Sequence, residues 1–96
     1  MIKSFADKET EKLFKGRKSK AVPPQLREKA LAKLLSVDAA TNVKELEAPP
    51  SNRLHKLGRD RQGQWSISIN MQWRICFEFD DETGDAYGVE ITKHYD

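Results

Sequence analysis

From residue 64 the chain alternates apolar and polar positions with a period of two. Trp65, Ile67 and Ile69 alternate with Gln64, Ser66 and Ser68. After Asn70-Met71-Gln72 the alternation resumes as Trp73, Ile75, Phe77 and Phe79, interleaved with Arg74, Cys76 and Glu78. That pattern predicts two half-buried antiparallel strands, with Asn70 suited to the left-handed backbone of a tight turn. A polar hairpin loop at 80–85 follows. Tyr87, Val89 and Ile91 then alternate with Gly88, Glu90 and Thr92 as a last strand, which puts His94 on the face of Glu90 and Thr92 with Tyr95 just beyond.

Upstream, the period changes to that of a helix. Ile2-Lys3-Ser4-Phe5 is a short strand candidate. A helix is predicted over residues 7–15, with acids early and lysines late, Leu13 and Phe14 on its apolar side and Gly16 as its stop. Pro23-Pro24 starts a second helix over 25–36, where Leu26, Ala30, Leu31, Leu34 and Leu35 form one stripe read as core. Asp38 is placed to cap a further short helix reaching about residue 46, with Ala40, Val43 and Leu46 inward. Pro49-Pro50-Ser51-Asn52 then hands the chain to the sheet. The order is strand, helices and a three-strand meander, which predicts one α+β domain over 1–96 with helices on one sheet face.

Composition narrows the class. With 38% hydrophobic and 33% charged residues, the chain reads as an ordinary soluble globular domain. No apolar run is long enough to span a bilayer, and no secretory signal pattern opens the chain. The single cysteine, Cys76, forms no internal disulfide, which points to the cytoplasm. One cysteine with His55 and His94 is no metal-ligand set, and none is expected.

The net charge of +2 conceals a segregation. Residues 1–20 carry seven Lys/Arg against three Asp/Glu, and 53–74 carry five against one, whereas 75–96 carry one against seven. Brought together by the fold, the two basic segments would attract a polyanion; apart, they are solvated surface.

No phosphate-binding glycine loop, G-x-S-x-G or paired-cysteine motif is present. What remains is a set of basic and imidazole groups near one sheet face: Arg74, Lys56, Arg59, Arg61, His55 and His94. Such a set suits RNA cleavage by the neighbouring 2′-hydroxyl, which needs a base, an acid and cations at the phosphate, but no metal or bound cofactor. Each residue has a plainer role open to it. Arg74 is a candidate for a salt bridge to Glu78 or Glu90, His55 for a strand-edge histidine, and Trp65 and Trp73 for the core.

Ile2-Lys3-Ser4-Phe5, the segment 35–41, Asn52-Arg53-Leu54-His55, Gly63-Gln64-Trp65-Ser66-Ile67, Gln72-Trp73-Arg74-Ile75-Cys76-Phe77 and Val89-Glu90-Ile91 together resemble the HigB-type toxins of the RelE/ParE superfamily. The resemblance implies a compact RelE-like fold, with N-terminal helices on one face of a curved, mainly antiparallel sheet. It implies the toxin of a type II toxin–antitoxin pair that cuts translated mRNA in the ribosomal A site without a metal. Its partner would be a HigA-type helix-turn-helix antitoxin, through which alone it would meet operator DNA. By position Arg74 matches the phosphate-contacting arginine, and His55 the histidine opening the second strand. His94 or His55 would move protons, Tyr95 would orient or stack on a base, and Lys56 would join Arg74 at the phosphate. Arg53, Arg59 and Arg61, with Lys15, Arg17, Lys18 and Lys20, would hold RNA by backbone charge.

Two departures stand out. Gly58 occupies the place of a lysine common in the family, leaving Lys56 or Arg59 to substitute. The terminus reads Lys93-His94-Tyr95-Asp96 where Asp-Tyr-His is usual, and a one-residue shift moves a strand side chain to the other face. Two alternatives therefore stay open: a ParE-like inhibitor of DNA gyrase that cuts no RNA, and an inactive relative that only binds antitoxin.

Overall fold

The computed structural model describes residues 1–93; His94, Tyr95 and Asp96 lie outside the described residues, as does the side chain of Arg59. Helix α1 spans Lys8–Phe14 and α2 spans Arg27–Ala39. Strands β1 (His55–Lys56), β2 (Trp65–Ser68), β3 (Trp73–Asp80) and β4 (Asp85–Lys93) form one antiparallel sheet in the order β1-β2-β3-β4. Short 3-10 turns occupy Pro24–Leu26, Val43–Glu47, Pro50–Asn52 and Arg59–Arg61.

Helix α1 is fixed at both ends. The Asp7 carboxylate accepts from the Thr10 backbone N–H at 2.7 Å and from its hydroxyl at 3.0 Å. Gly16 closes it at φ +74°, its N–H donating to the Leu13 carbonyl at 3.0 Å. The buried Thr10 hydroxyl also accepts from the Ile91 N–H at 3.1 Å, so the residue that completes the cap docks the helix on β4.

Residues 2–5 do not make a regular strand. They touch β4 through isolated parallel bridges, Ile2 to Ala86 and Phe5 to Val89, and the reason lies in β4. Glu78 pairs with Tyr87 but Cys76 with Glu90, so one residue of β3 faces two of β4. The extra residue is Gly88, at φ +60°, a bulge that glycine accommodates without a Cβ penalty. The bulge also corrects the expected phase. Ala86 and Val89 are buried, whereas Tyr87 turns out to solvent.

The core lies between the helices and one sheet face. Ala30, Leu34 and Val37 supply α2, Leu13 supplies α1, and Ile67, Ile75, Phe77 and Val89 supply the sheet. Leu35, expected in the stripe, is 50% exposed, because its position is rotated about 100° from Leu34 around the helix. Helix α2 runs through Ala39, so Asp38 is no N-cap: its carboxylate accepts from the Ile2 N–H at 2.8 Å. The turn over Val43–Glu47 is held instead by Asp81 of the β3–β4 loop, which accepts from the Val43 N–H at 2.8 Å. Ala40, Val43 and Leu46 are buried as expected.

Candidate active-site cleft

The sheet register assembles the polar face. His55 stands opposite Ser66, Ser66 opposite Cys76, and Cys76 opposite Glu90. One pleat along, Ser68 stands opposite Arg74 and Arg74 opposite Thr92. Opposed residues share a face, so the period-two sequence becomes two polar rows across the sheet.

The two rows meet different fates. Ser66 and Cys76 are buried. Over the row that ends at Glu90, Arg61 of the Arg59–Arg61 turn forms an ion pair with Glu90 and donates to Gln64 Oε1 at 3.1 Å. The Glu90 carboxylate raises the Arg61 pKa above its ordinary value by hydrogen bonding to the charged guanidinium. The other row stays open and, with the His55–Ser66 end of the first, lines a cleft of about 150 Å³ whose walls include Arg53, Asn70, Trp73 and Arg74.

Arg74 is half-buried in this cleft, and Glu90 is already taken by Arg61. Its Nε lies 3.4 Å from Thr92 Oγ1, a long contact that orients the guanidinium without neutralising it. Among the described residues no ion pair includes Arg74. A positive fork in a pocket lined, among the described residues, by no carboxylate is suited to an anion, phosphate above all.

His55 Nδ1 lies 2.9 Å from the carbonyl oxygen of Arg53. A carbonyl only accepts, so Nδ1 carries the proton and the neutral ring keeps its lone pair on Nε2. The carbonyl comes from an unusual residue: Arg53, at φ 49°, is the one non-glycine residue with positive φ among those described. Its left-handed backbone follows the Pro50–Asn52 turn, which Asn52 pins by donating at 3.1 Å to the carbonyls of Leu46 and Ala48.

Asn70 shapes the rim in a way that differs from the left-handed turn expected of it. Its Oδ1 accepts from the backbone N–H groups of Gln72 and Trp73, both at 2.8 Å, and so closes the β2–β3 turn through its side chain. Trp65 and Trp73 both pack half-buried against the core, and Trp73 also lines the cleft.

Several expected groups stand elsewhere. Lys56 pairs with Trp65 rather than with the His55 row, so alternation turns it to the opposite side, where its Nζ sits 5.4 Å from the Trp65 ring centroid. It does not join Arg74. Arg61 is held by Glu90, and Lys15 forms an ion pair with Glu11 at 3.0 Å. Lys15 and Arg17 line a separate hollow with Lys8, Glu11 and Lys12; Lys18 and Lys20 are exposed. Arg59 lies in its turn, and His94 and Tyr95 fall outside the described residues. Missed from sequence were Thr92, Asn52 and two lysines of α2, Lys29 and Lys33. The i, i+4 spacing of those lysines was the available signal. Among the described residues, no three His, Cys, Asp or Glu side chains cluster as metal ligands would.

Over its whole length the fold matches a solved toxin–antitoxin complex, RelBE2 of Mycobacterium tuberculosis, with a TM-score of 0.52 at 19% identity, covering 92% of that chain. The helices and the antiparallel sheet make a RelE-like fold. The family description "RelE-like toxin of type II toxin-antitoxin system HigB" matches residues 3–94, and this chain belongs to the HigB-like toxin family. It is 40% identical over 95 residues to the Endoribonuclease HigB of Proteus vulgaris, spanning 99% of this chain and 100% of that one. It is 34% identical over 95 residues to the Toxin HigB-1 of Vibrio cholerae, covering 98% of each. Membership in a toxin–antitoxin family gives the chain an antitoxin as its partner.

Proposed function

We propose that this toxin is an endoribonuclease that cuts mRNA in the ribosomal A site, with the His55–Arg74 cleft as its catalytic site. The observation that carries the reading is the pairing in one cleft of a guanidinium with no carboxylate partner among the described residues and an imidazole whose Nδ1 is engaged. The Endoribonuclease HigB relative supports the reaction class.

In this mechanism His55 Nε2 takes the proton of the 2′-hydroxyl, whose oxygen bonds to the adjacent phosphorus. The phosphorus–O5′ bond breaks, and the departing oxygen takes a proton from an acid, the role assigned to His94. The products are a 2′,3′-cyclic phosphate and a 5′-hydroxyl. Arg74 stabilises the charge that grows on the phosphoryl oxygens, the kind of fixed electrostatic contribution that is worth most in a cleft. Tyr95 orients a base. The steps need no metal, because imidazole and guanidinium groups supply both proton transfer and charge. The antitoxin is of the HigA helix-turn-helix type and alone contacts operator DNA; the toxin works in the cytoplasm.

Pulse-labelling after induction tests the reading. Protein synthesis should stop first, and co-expressed antitoxin should restore it. DNA synthesis stopping first would indicate gyrase as the target, and no arrest at all would indicate an inactive antitoxin-binding relative.

A further inference from the structure

A second cleft, of about 190 Å³, adjoins the first and shares four of its walls: Arg53, Ser68, Asn70 and Met71. The remaining walls include Lys29 and Lys33, one turn apart on α2, and among the described residues no carboxylate lines either cleft. Lys33 is built in. Its Nζ donates to Asn52 Oδ1, and Asn52 is 1% exposed with its amide nitrogen committed to two backbone carbonyls. The acceptor is neutral, so it positions the ammonium without cancelling its charge, and two of the three ammonium donors remain for a ligand. Among the described residues no ion pair includes Lys29, Lys33 or Arg53.

We propose that this second cleft is a subsite for the phosphate neighbouring the scissile one, so that the RNA strand runs from Arg74 past Arg53 to Lys33 and Lys29. The proposal rests on the ribonuclease reading of the first cleft. Arg53 stands on both walls, which makes the two phosphate sites continuous. Met71, 82% exposed at the rim shared by the clefts, offers the base between them an apolar contact. Neither cleft alone is larger than about a nucleotide fragment, well under the roughly 300 Å³ at which drug-sized ligand pockets begin. An extended strand fits the pair better than a compact small molecule.

The test uses the full chain and short RNAs made uncleavable by 2′-O-methylation, followed by NMR titration. A dinucleotide carries one phosphodiester and a trinucleotide two. The wild type should bind the trinucleotide roughly fivefold more tightly, with a salt slope steeper by about 0.7 for the extra phosphate. Lys33→Gln keeps a hydrogen bond to Asn52 but lacks the charge; it should lose that gain and leave dinucleotide binding unchanged. Lys33→Arg should retain it. Shifts around His55 and Arg74 with an undiminished trinucleotide gain in Lys33→Gln would overturn the subsite and leave the ribonuclease reading standing. The same holds if Lys33→Gln weakens only ribosome association, because the phosphate would then be ribosomal. No shifts at either cleft would overturn both.

Discussion

Thr10→Val should destabilise the protein by about 2 kcal/mol while leaving its shape unchanged, because valine replaces only the hydroxyl with a methyl group. That hydroxyl holds two positions. Residues 1–6 satisfy the outer edge of β4 as far as Val89, whose carbonyl accepts from the Ala6 N–H at 2.9 Å. At Ile91 the Thr10 hydroxyl takes over, accepting at 3.1 Å while donating at 3.0 Å to Asp7. Removing it strands the outward N–H of Ile91, a loss of about 1–3 kcal/mol, and ends a hydrogen bond to the Asp7 carboxylate worth about 1 kcal/mol more. That bond falls below the usual range for a charged partner because Asp7 is half-exposed and keeps its bond from the Thr10 N–H. The added methyl returns about 0.8 kcal/mol. At about 4–8 °C per kcal/mol for a chain of this size, the melting midpoint should fall by about 8–16 °C. Thermal unfolding followed by circular dichroism reads this directly. Thr10→Ser, which keeps the hydroxyl, should lose less. A Thr10→Val midpoint within about 2 °C of wild type, or a larger drop in Thr10→Ser, would show that the hydroxyl bridge contributes nothing.

The site yields further expectations. His55→Asn keeps an amide donor where Nδ1 stands but removes the Nε2 base, so cleavage should fall by about 10²–10⁴ with the melting midpoint unchanged; unaltered cleavage would remove His55 from the proton transfer. Arg53→Gly should be as stable as wild type or slightly more so, because relief of a left-handed strain of about 1–2 kcal/mol offsets the entropy glycine adds to the unfolded chain. Arg53→Val should melt well below both, since a β-branched residue resists that backbone, and equal midpoints for the two variants would contradict the assignment of strain. Glu9 accepts from the Lys20 N–H and from Lys12, which holds its pKa below the ordinary 4.5. A lowered folded pKa gives stability that is present above pH 4.5 and lost as the pH falls through the folded value. Glu9→Gln should therefore show a shallower loss of stability on acidification below that pH, measured by denaturant unfolding; parallel pH profiles would refute the linkage.

The elements were legible wherever local pattern and global packing agree. The period-two runs around Trp65 and Trp73 gave β2 and β3, and Asp7 with Gly16 gave α1 nearly to the residue. Where the pattern misled, a single local device was responsible. Gly88 looked like an outward strand position, but its positive φ inserts a bulge, which turns Tyr87 out and interrupts pairing with residues 2–5. Asn70 marked a turn correctly, yet it acts through its side chain.

The candidate site was half legible for the same reason. His55 and Arg74 lie on strands whose alternation fixes their face, so their convergence follows from register. Lys56, one residue from His55, is turned to the other face by that same alternation. The partner of Arg61 was not readable, because Glu90 lies 29 residues away and is brought close only by the covering turn. Lys33 reaches the groove through Asn52, a contact between α2 and the chain that leads to β1, which no local periodicity encodes.

The central claim is that the His55–Arg74 cleft cuts translated mRNA. Primer-extension mapping of a reporter mRNA in a purified translation system, with wild-type protein beside Arg74→Ala, tests it most directly. The account predicts cuts within translated codons, absent without ribosomes and lost in an Arg74→Ala protein that melts like the wild type. Undiminished cuts by that well-folded variant would contradict the assignment of Arg74, and no cuts by the wild type would contradict the ribonuclease itself.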